Sequence, residues 1–132
     1  MLGRIGDKRA VEPLGMALYD MHYEVGRAAA ESLAGFGAAA LGVLSEALKH
    51  PEAGIRLHAV WALTKIQDAR VLPLLAGMLK DADRHVVRQV IQSLGELRDA
   101  RAVAVLTPIA DDRGDRELSM LAREAMKILQ SN

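Results

Sequence analysis

Between Val71 and Leu97 the chain sorts its apolar and polar residues with helical spacing twice over. VLPLLAGMLK and RHVVRQVIQSLGEL each gather their apolar residues on one side of a helix, and the charged turn Lys80-Asp81-Ala82-Asp83 parts them. The spacing predicts two amphipathic helices. The same pattern recurs along the chain. A small residue followed by a large apolar one stands at Ser32-Leu33, Ala62-Leu63, Ser93-Leu94 and Ala125-Met126, at intervals of 30, 31 and 32 residues. Leu2, 31 residues before Leu33, fits an earlier copy. Eight residues before the last four marks stand Val25, Ile55, Val86 and Leu118. Four before stand Ala29, Ala59, Val90 and Ala122, and three after stand Phe36, Ile66, Leu97 and Leu129. Those offsets trace one face of a helix, so each unit is expected to bury that face of a second helix. A repeat of about 31 residues predicts an all-α stack of helix pairs rather than a globule around one core.

A first helix precedes each second one. Asp7-Lys8-Arg9, Asp68-Ala69-Arg70 and Asp99-Ala100-Arg101 open three of them, and Asp is expected to cap those helices. Pro13 and Pro73 fall early in two of them and are expected to bend or tighten their starts. Turns to the second helices are marked by Lys49-His50-Pro51-Glu52, Lys80-Asp81-Ala82-Asp83 and Asp111-Asp112-Arg113-Gly114-Asp115.

DKRAVEPLGMAL followed by VGRAAAESLAGFG resembles a HEAT-like repeat of the bacterial kind also found in phycobilin lyases. Four units share the resemblance, about 7–37, 38–67, 68–98 and 99–130, so the chain is expected to be a single repeat domain over 1–132. Residues 1–6 read as the tail of a truncated preceding repeat. The second unit departs from the pattern, opening Gly37-Ala38-Ala39-Ala40 without Asp-x-Arg. The fourth carries Val105 at the proline position, with Pro108 three residues on. The resemblance implies a right-handed α-solenoid, with second helices lining a concave face. At the position of Ala30, Val60 and Ile91 the last unit has Arg123, as a terminal capping unit would.

Composition narrows the function. Apolar residues make up 51% of the chain and aromatics 3%, a diet suited to close-packed helices. Without cysteine there is no disulfide, thiolate metal site or cysteine nucleophile. Seventeen Lys and Arg balance seventeen Asp and Glu, so the chain offers no overall attraction to nucleic acid or anionic membrane. Neither partner is expected. No apolar run approaches the ~20 residues of a membrane span and no secretion signal is visible, which makes the cytoplasm the default location.

The exposed stripe of the second helices is the candidate binding surface. Arg27, Leu57, Arg88 and Met120 form one row across it, Glu31, Trp61, Gln92 and Glu124 another, and Ala28, His58, Gln89 and Leu121 flank them. Trp61 is the single tryptophan, with Leu57 one turn before it and Arg27 and Arg88 in the neighbouring units. A large aromatic flanked by arginine is the composition of a binding hot spot, though packing between units would also use it. Arg27, Glu31, Leu57, His58, Trp61, Arg88 and Gln92 are the candidate partner-binding residues.

Catalytic and metal sites are not expected. None of His22, His50, His58 and His85 is followed by Glu, so the paired His-Glu motifs of the related deoxyhypusine hydroxylases are absent. Asp81-x-Asp83 and Asp111-Asp112-x-x-Asp115 lack the length, central Gly and closing Glu of a calcium loop. Phosphate-binding glycine motifs are missing, and no cofactor is expected. The expectation is a scaffold for a protein or peptide partner. A bilin lyase or isomerase subunit stands beside it from the resemblance alone, and a module like the DNA-alkylation-repeat proteins behind that.

Overall fold

Each second helix is longer than the first helix before it, because it carries the uninterrupted four-residue apolar spacing. The structure, a computed structural model, describes Arg9, residues 11–20 and residues 22–131. Four pairs follow in order: α1 (Val11–Leu18) with α2 (Tyr23–Ala34), α3 (Leu41–Ala47) with α4 (Ala53–Thr64), α5 (Val71–Gly77) with α6 (Arg84–Glu96), and α7 (Ala102–Ala110) with α8 (Arg116–Gln130). Short 3₁₀ turns, Gly37–Ala40 and Met78–Lys80, lead into α3 and extend α5. Among the described residues there is no strand. The expected helix tail at Leu2–Gly6 and the capping Asp7 lie outside the described residues.

The chain divides into two compact units, Met1–Val71 and Leu72–Asn132. In the first, α2 packs against α1 and α4, and α4 also packs against α3. In the second, α8 packs against α6 and α7, and the 3₁₀ turn after α5 packs on α6.

The core follows the repeat. Leu33, Leu63 and Leu94, the marks of the second helices, are fully buried. Leu44, Leu75 and Leu106 are as fully buried in the first helices. Small Ala29, Ala59 and Ala122 at the position four earlier lie inside and let neighbouring helices come close. One core expectation fails: Val25 is 44% exposed. It lines an open, mostly apolar groove between α1 and α2 with Leu14, Ala17, Glu24, Ala28, Ala29 and Ser32. Ile55, at the same repeat position in α4, is buried. Met126, Leu97, Leu118 and Leu129 are only half-buried.

The Asp-x-Arg openings work differently from the expected N-caps. The Asp99 carboxylate accepts from the Arg101 backbone N–H, and the Arg101 guanidinium folds back onto it at 2.6 Å. Arg101, not Asp99, occupies the cap position of α7. Asp68 and Arg70 repeat the arrangement before α5, where the Arg70 side chain and then its backbone N–H hold the Asp68 carboxyl down to about 2. Each Asp therefore rigidifies the turn that leads into its helix, three residues before the first helical residue. Pro13 and Pro73 are the third residues of α1 and α5, inside the first turn, where a backbone N–H has no helical acceptor to lose. Pro108 does lie inside α7. Arg123 is exposed and donates through Nε to the Ala110 carbonyl, the end of α7, which also accepts from Ser119 Oγ at 2.6 Å.

Candidate functional site

Tyr23, Arg27 and Glu31 stand four residues apart along α2, and Leu57, Trp61 and Lys65 do the same along α4 and its C-cap. Four-residue spacing keeps each set on one helix face. Because α2 packs against α4, the two rows meet. The Tyr23 ring meets Trp61 edge-on at 5.9 Å between centroids. The Arg27 guanidinium carbon lies 5.6 Å from the Trp61 ring centre, a cation–π contact. Glu31 stands between two cations, 3.7 Å from Arg27 Nε and 3.9 Å from Lys65 Nζ.

Under these side chains lies His58. The expectation placed it among the partner-binding residues on the flank of the surface, whereas the structure leaves it only 3% exposed. The reason is one residue on the opposite helix. A Cβ on Gly26 would come within 2.7 Å of the His58 Cε1 and Nδ1 atoms, so glycine there leaves the space that the imidazole fills. Tyr23 and Trp61 cover the ring at centroid distances of 5.2 and 5.4 Å. Neither ring nitrogen has a hydrogen-bond partner. Burial, and secondarily the nearby Arg27 charge, push the imidazole pKa below its ordinary value, so the neutral ring is favoured. A buried polar group left unpaired costs about 1–3 kcal/mol, so the cluster sits on a strained floor.

The structure therefore brings Arg27, Glu31, His58 and Trp61 together in the first unit and adds Tyr23 and Lys65 to them. Arg27 and Glu31 are exposed, and Trp61 and Leu57 half-buried. Arg88 and Gln92 belong to α6 in the second unit, where Arg88 lies 3.5 Å from Glu117 and Gln92 is exposed. Sequence reasoning missed Tyr23. The available signal was its position one turn before Arg27, which continues the row backward.

The second unit's surface has a different chemistry. Arg84 donates to both Asp115 oxygens at 2.7 and 2.9 Å and to Glu117 at 2.8 Å. That arrangement raises the arginine pKa and lowers that of Asp115. No three His, Asp or Glu side chains among the described residues come together as a metal would require. No described helix is long and apolar enough to cross a membrane. The first unit's site can stack, pair charges and bury apolar groups, and it offers no nucleophile aligned with a base.

In solved structures the chain is similar to human deoxyhypusine hydroxylase in complex with glycerol, at 23% identity and a TM-score of 0.79, over 93% of this chain and 44% of that one. It is similar to the complex of CpcE and CpcF of phycocyanin lyase from Nostoc sp., at 23% identity and a TM-score of 0.64, over 96% of this chain and 55% of that one. A designed armadillo repeat protein in complex with the peptide (KR)4 matches at 20% identity and a TM-score of 0.60, over 92% of this chain and 65% of that one. The chain spans less than two thirds of the length of each, and at these identities the likeness is one of fold, the α-solenoid of stacked helix pairs. No curated protein matches the sequence. A profile of HEAT repeats matches residues 42–127, more than half of the chain, and the protein belongs to the HEAT-repeat family.

Proposed function

We propose that the chain is a binding scaffold that takes a helix or an extended peptide of a partner protein on its second-helix surface, with Trp61 as the anchor. The observation that carries this reading is the cluster in the first unit: an aromatic pair at the surface, a guanidinium held against the indole, and a half-buried Leu57 one turn away on the same helix. Large aromatics and arginine dominate binding energy at protein interfaces, and repeat arrays offer extended surfaces for such contacts. Two of the similar structures fit this use, one a designed repeat protein holding a peptide and one a complex of two chains. Arg88 and Gln92 give the second unit a polar surface of its own.

On this reading the chain binds and does not catalyse. The competing reading, a subunit of a bilin lyase, rests on likeness to the CpcE–CpcF complex alone. Mixing the chain with a linear tetrapyrrole separates the two, and a stable coloured complex would favour the lyase.

The direct test immobilises the wild-type chain and Trp61→Ala side by side, passes one cell extract over both, and measures the affinity of whatever is retained. A partner held by the wild type and lost from the variant is expected. Equal recovery on both would remove Trp61 from the site. Trp61→Ala is expected to keep the helical circular dichroism of the parent while losing about 1–2 kcal/mol of stability from its ring contacts. A loss of several kcal/mol would make Trp61 a core residue instead.

A further inference from the structure

We infer that the partner engages this surface through a carboxylate, an Asp or Glu side chain beside an apolar residue, with the carboxylate bound by Arg27 and its neighbour packed against Tyr23 and Trp61. The inference rests on the proposed peptide-binding role of the same surface and names the chemistry of the ligand. Its basis is the state of Arg27. The guanidinium carbon lies 5.6 Å from the Trp61 ring centre, a cation–π contact that uses none of its N–H donors. Among the described residues the only carboxylate within 4 Å of it is Glu31, at 3.7 Å, too far for a hydrogen bond.

The second unit shows what a satisfied arginine looks like in this protein. Arg84 spends its donors on two carboxylates at 2.7–2.9 Å. Arg27 rests beside an aromatic neighbour that consumes none of its donors, which leaves them open to a carboxylate. The charge balance also selects the sign. Arg27 and Lys65 flank the single carboxylate of Glu31, and neutral His58 below adds no charge. An incoming cation would have to displace Arg27 from the indole face and approach Lys65, whereas an incoming carboxylate meets a positive surface. The apolar half of the contact is already exposed, since Tyr23 is 53% accessible.

The test pans a phage-displayed random peptide library against the full chain and titrates the enriched peptides, labelled, against wild type, Arg27→Gln, Arg27→Lys and Trp61→Ala. Enriched peptides are expected to share Asp or Glu next to Leu, Ile, Phe or Trp. Arg27→Gln should weaken them about tenfold or more at low salt, with a smaller loss for Arg27→Lys, which keeps the charge but not the fork. Changing the peptide's acid to its amide should cause the same loss in wild type and little further loss in Arg27→Gln. Basic or uncharged peptides that bind Arg27→Gln as tightly as wild type would overturn the carboxylate. If those peptides are nevertheless lost from Trp61→Ala, the surface remains the binding site. Peptides that bind Trp61→Ala unchanged, or no enrichment on the wild type, would overturn both. Arg27 is exposed, so its variants are expected to fold, and circular dichroism checks this.

Discussion

Each of the two compact units buries the leucines of its own repeats, and the units differ in how their second helices begin and what they show to solvent. In the second unit α6 and α8 start on Asp83 and Asp115, whose carboxylates accept the first free backbone N–H groups, and Arg84 ties Asp115 and Glu117 together. In the first, α2 and α4 start on His22 and Glu52, neither of which caps with its side chain. There Asp20 and His50 instead accept from the cap residues' own N–H groups. The first unit also carries the aromatic cluster over an unpaired, buried imidazole. The second unit's surface ties its Arg84, Asp115 and Glu117 together, while in the first the buried imidazole stays unpaired under the aromatic cluster.

The comparison first requires that the cores be equivalent. Leu63→Ala and Leu94→Ala each remove a fully buried side chain at the same repeat position. Each is expected to cost about 3 kcal/mol or more in urea unfolding, with the two values within about 1 kcal/mol of each other. A much smaller loss at Leu63 would mean that the units differ inside as well as outside.

Gly26→Ala sharpens the contrast next. The added methyl would press on the His58 ring at 2.7 Å, and the ring is backed by Tyr23 and Trp61, so a loss of about 1–3 kcal/mol is expected despite the better helix propensity of alanine. Gly54→Ala, where a Cβ meets nothing within 4 Å, is the control and should gain a few tenths of a kcal/mol. Equal effects at the two positions would remove the claim that Gly26 makes room for His58.

Gly37 and Arg98 occupy the same repeat position, four residues after Leu33 and Leu94, and both have positive φ, 58° and 56°. Only the second unit accepts strain there, since a side chain disfavours the left-handed region. Arg98→Gly is expected to stabilise by up to about 1 kcal/mol, measured as a raised urea midpoint. No gain would show that the Arg98 side chain compensates for its backbone.

Acid should distinguish the surfaces with the smallest effect. His58 has a folded pKa below its unfolded one, so below the ordinary histidine value of about 6.5 the unfolded chain binds the proton more readily. The stability it contributes is full above that value and is lost as pH falls toward the lowered folded pKa. Asp68, Asp99 and Asp115 also have lowered pKa values, but for them stability is present above about pH 4 and lost below it. Unfolding midpoints between pH 7 and 5 should therefore fall more for wild type than for His58→Phe. Parallel curves would mean that the buried imidazole does not resist protonation.

How much of this was legible beforehand differs from residue to residue. Leu33, Leu63 and Leu94 could be read as core because one packing geometry recurs, so a single register explains all three. Trp61 and Arg27 could be placed on the outward stripe for the same reason. His58 could not be placed, since its burial depends on Gly26, 32 residues earlier on another helix. Tyr23 begins its helix, where periodicity has only just started, and its partners all come from elsewhere. The capping role assigned to Asp68 and Asp99 slipped by two residues because an Asp-x-Arg turn and an N-cap use the same side-chain chemistry.

By itself the sequence determined the helix pairs and their register, because both follow from spacing along one helix repeated four times, and its opening motifs resembled the family that the repeat profile matches. The tertiary structure alone decided which outward residues came together as a candidate site. It set α2 against α4, so that a glycine on one helix admitted an imidazole from the other, two aromatic rings closed over it, and Arg27 came to rest on Trp61 with its hydrogen bonds unspent. Such contacts depend on the distance between helices, which no pattern along a single helix encodes.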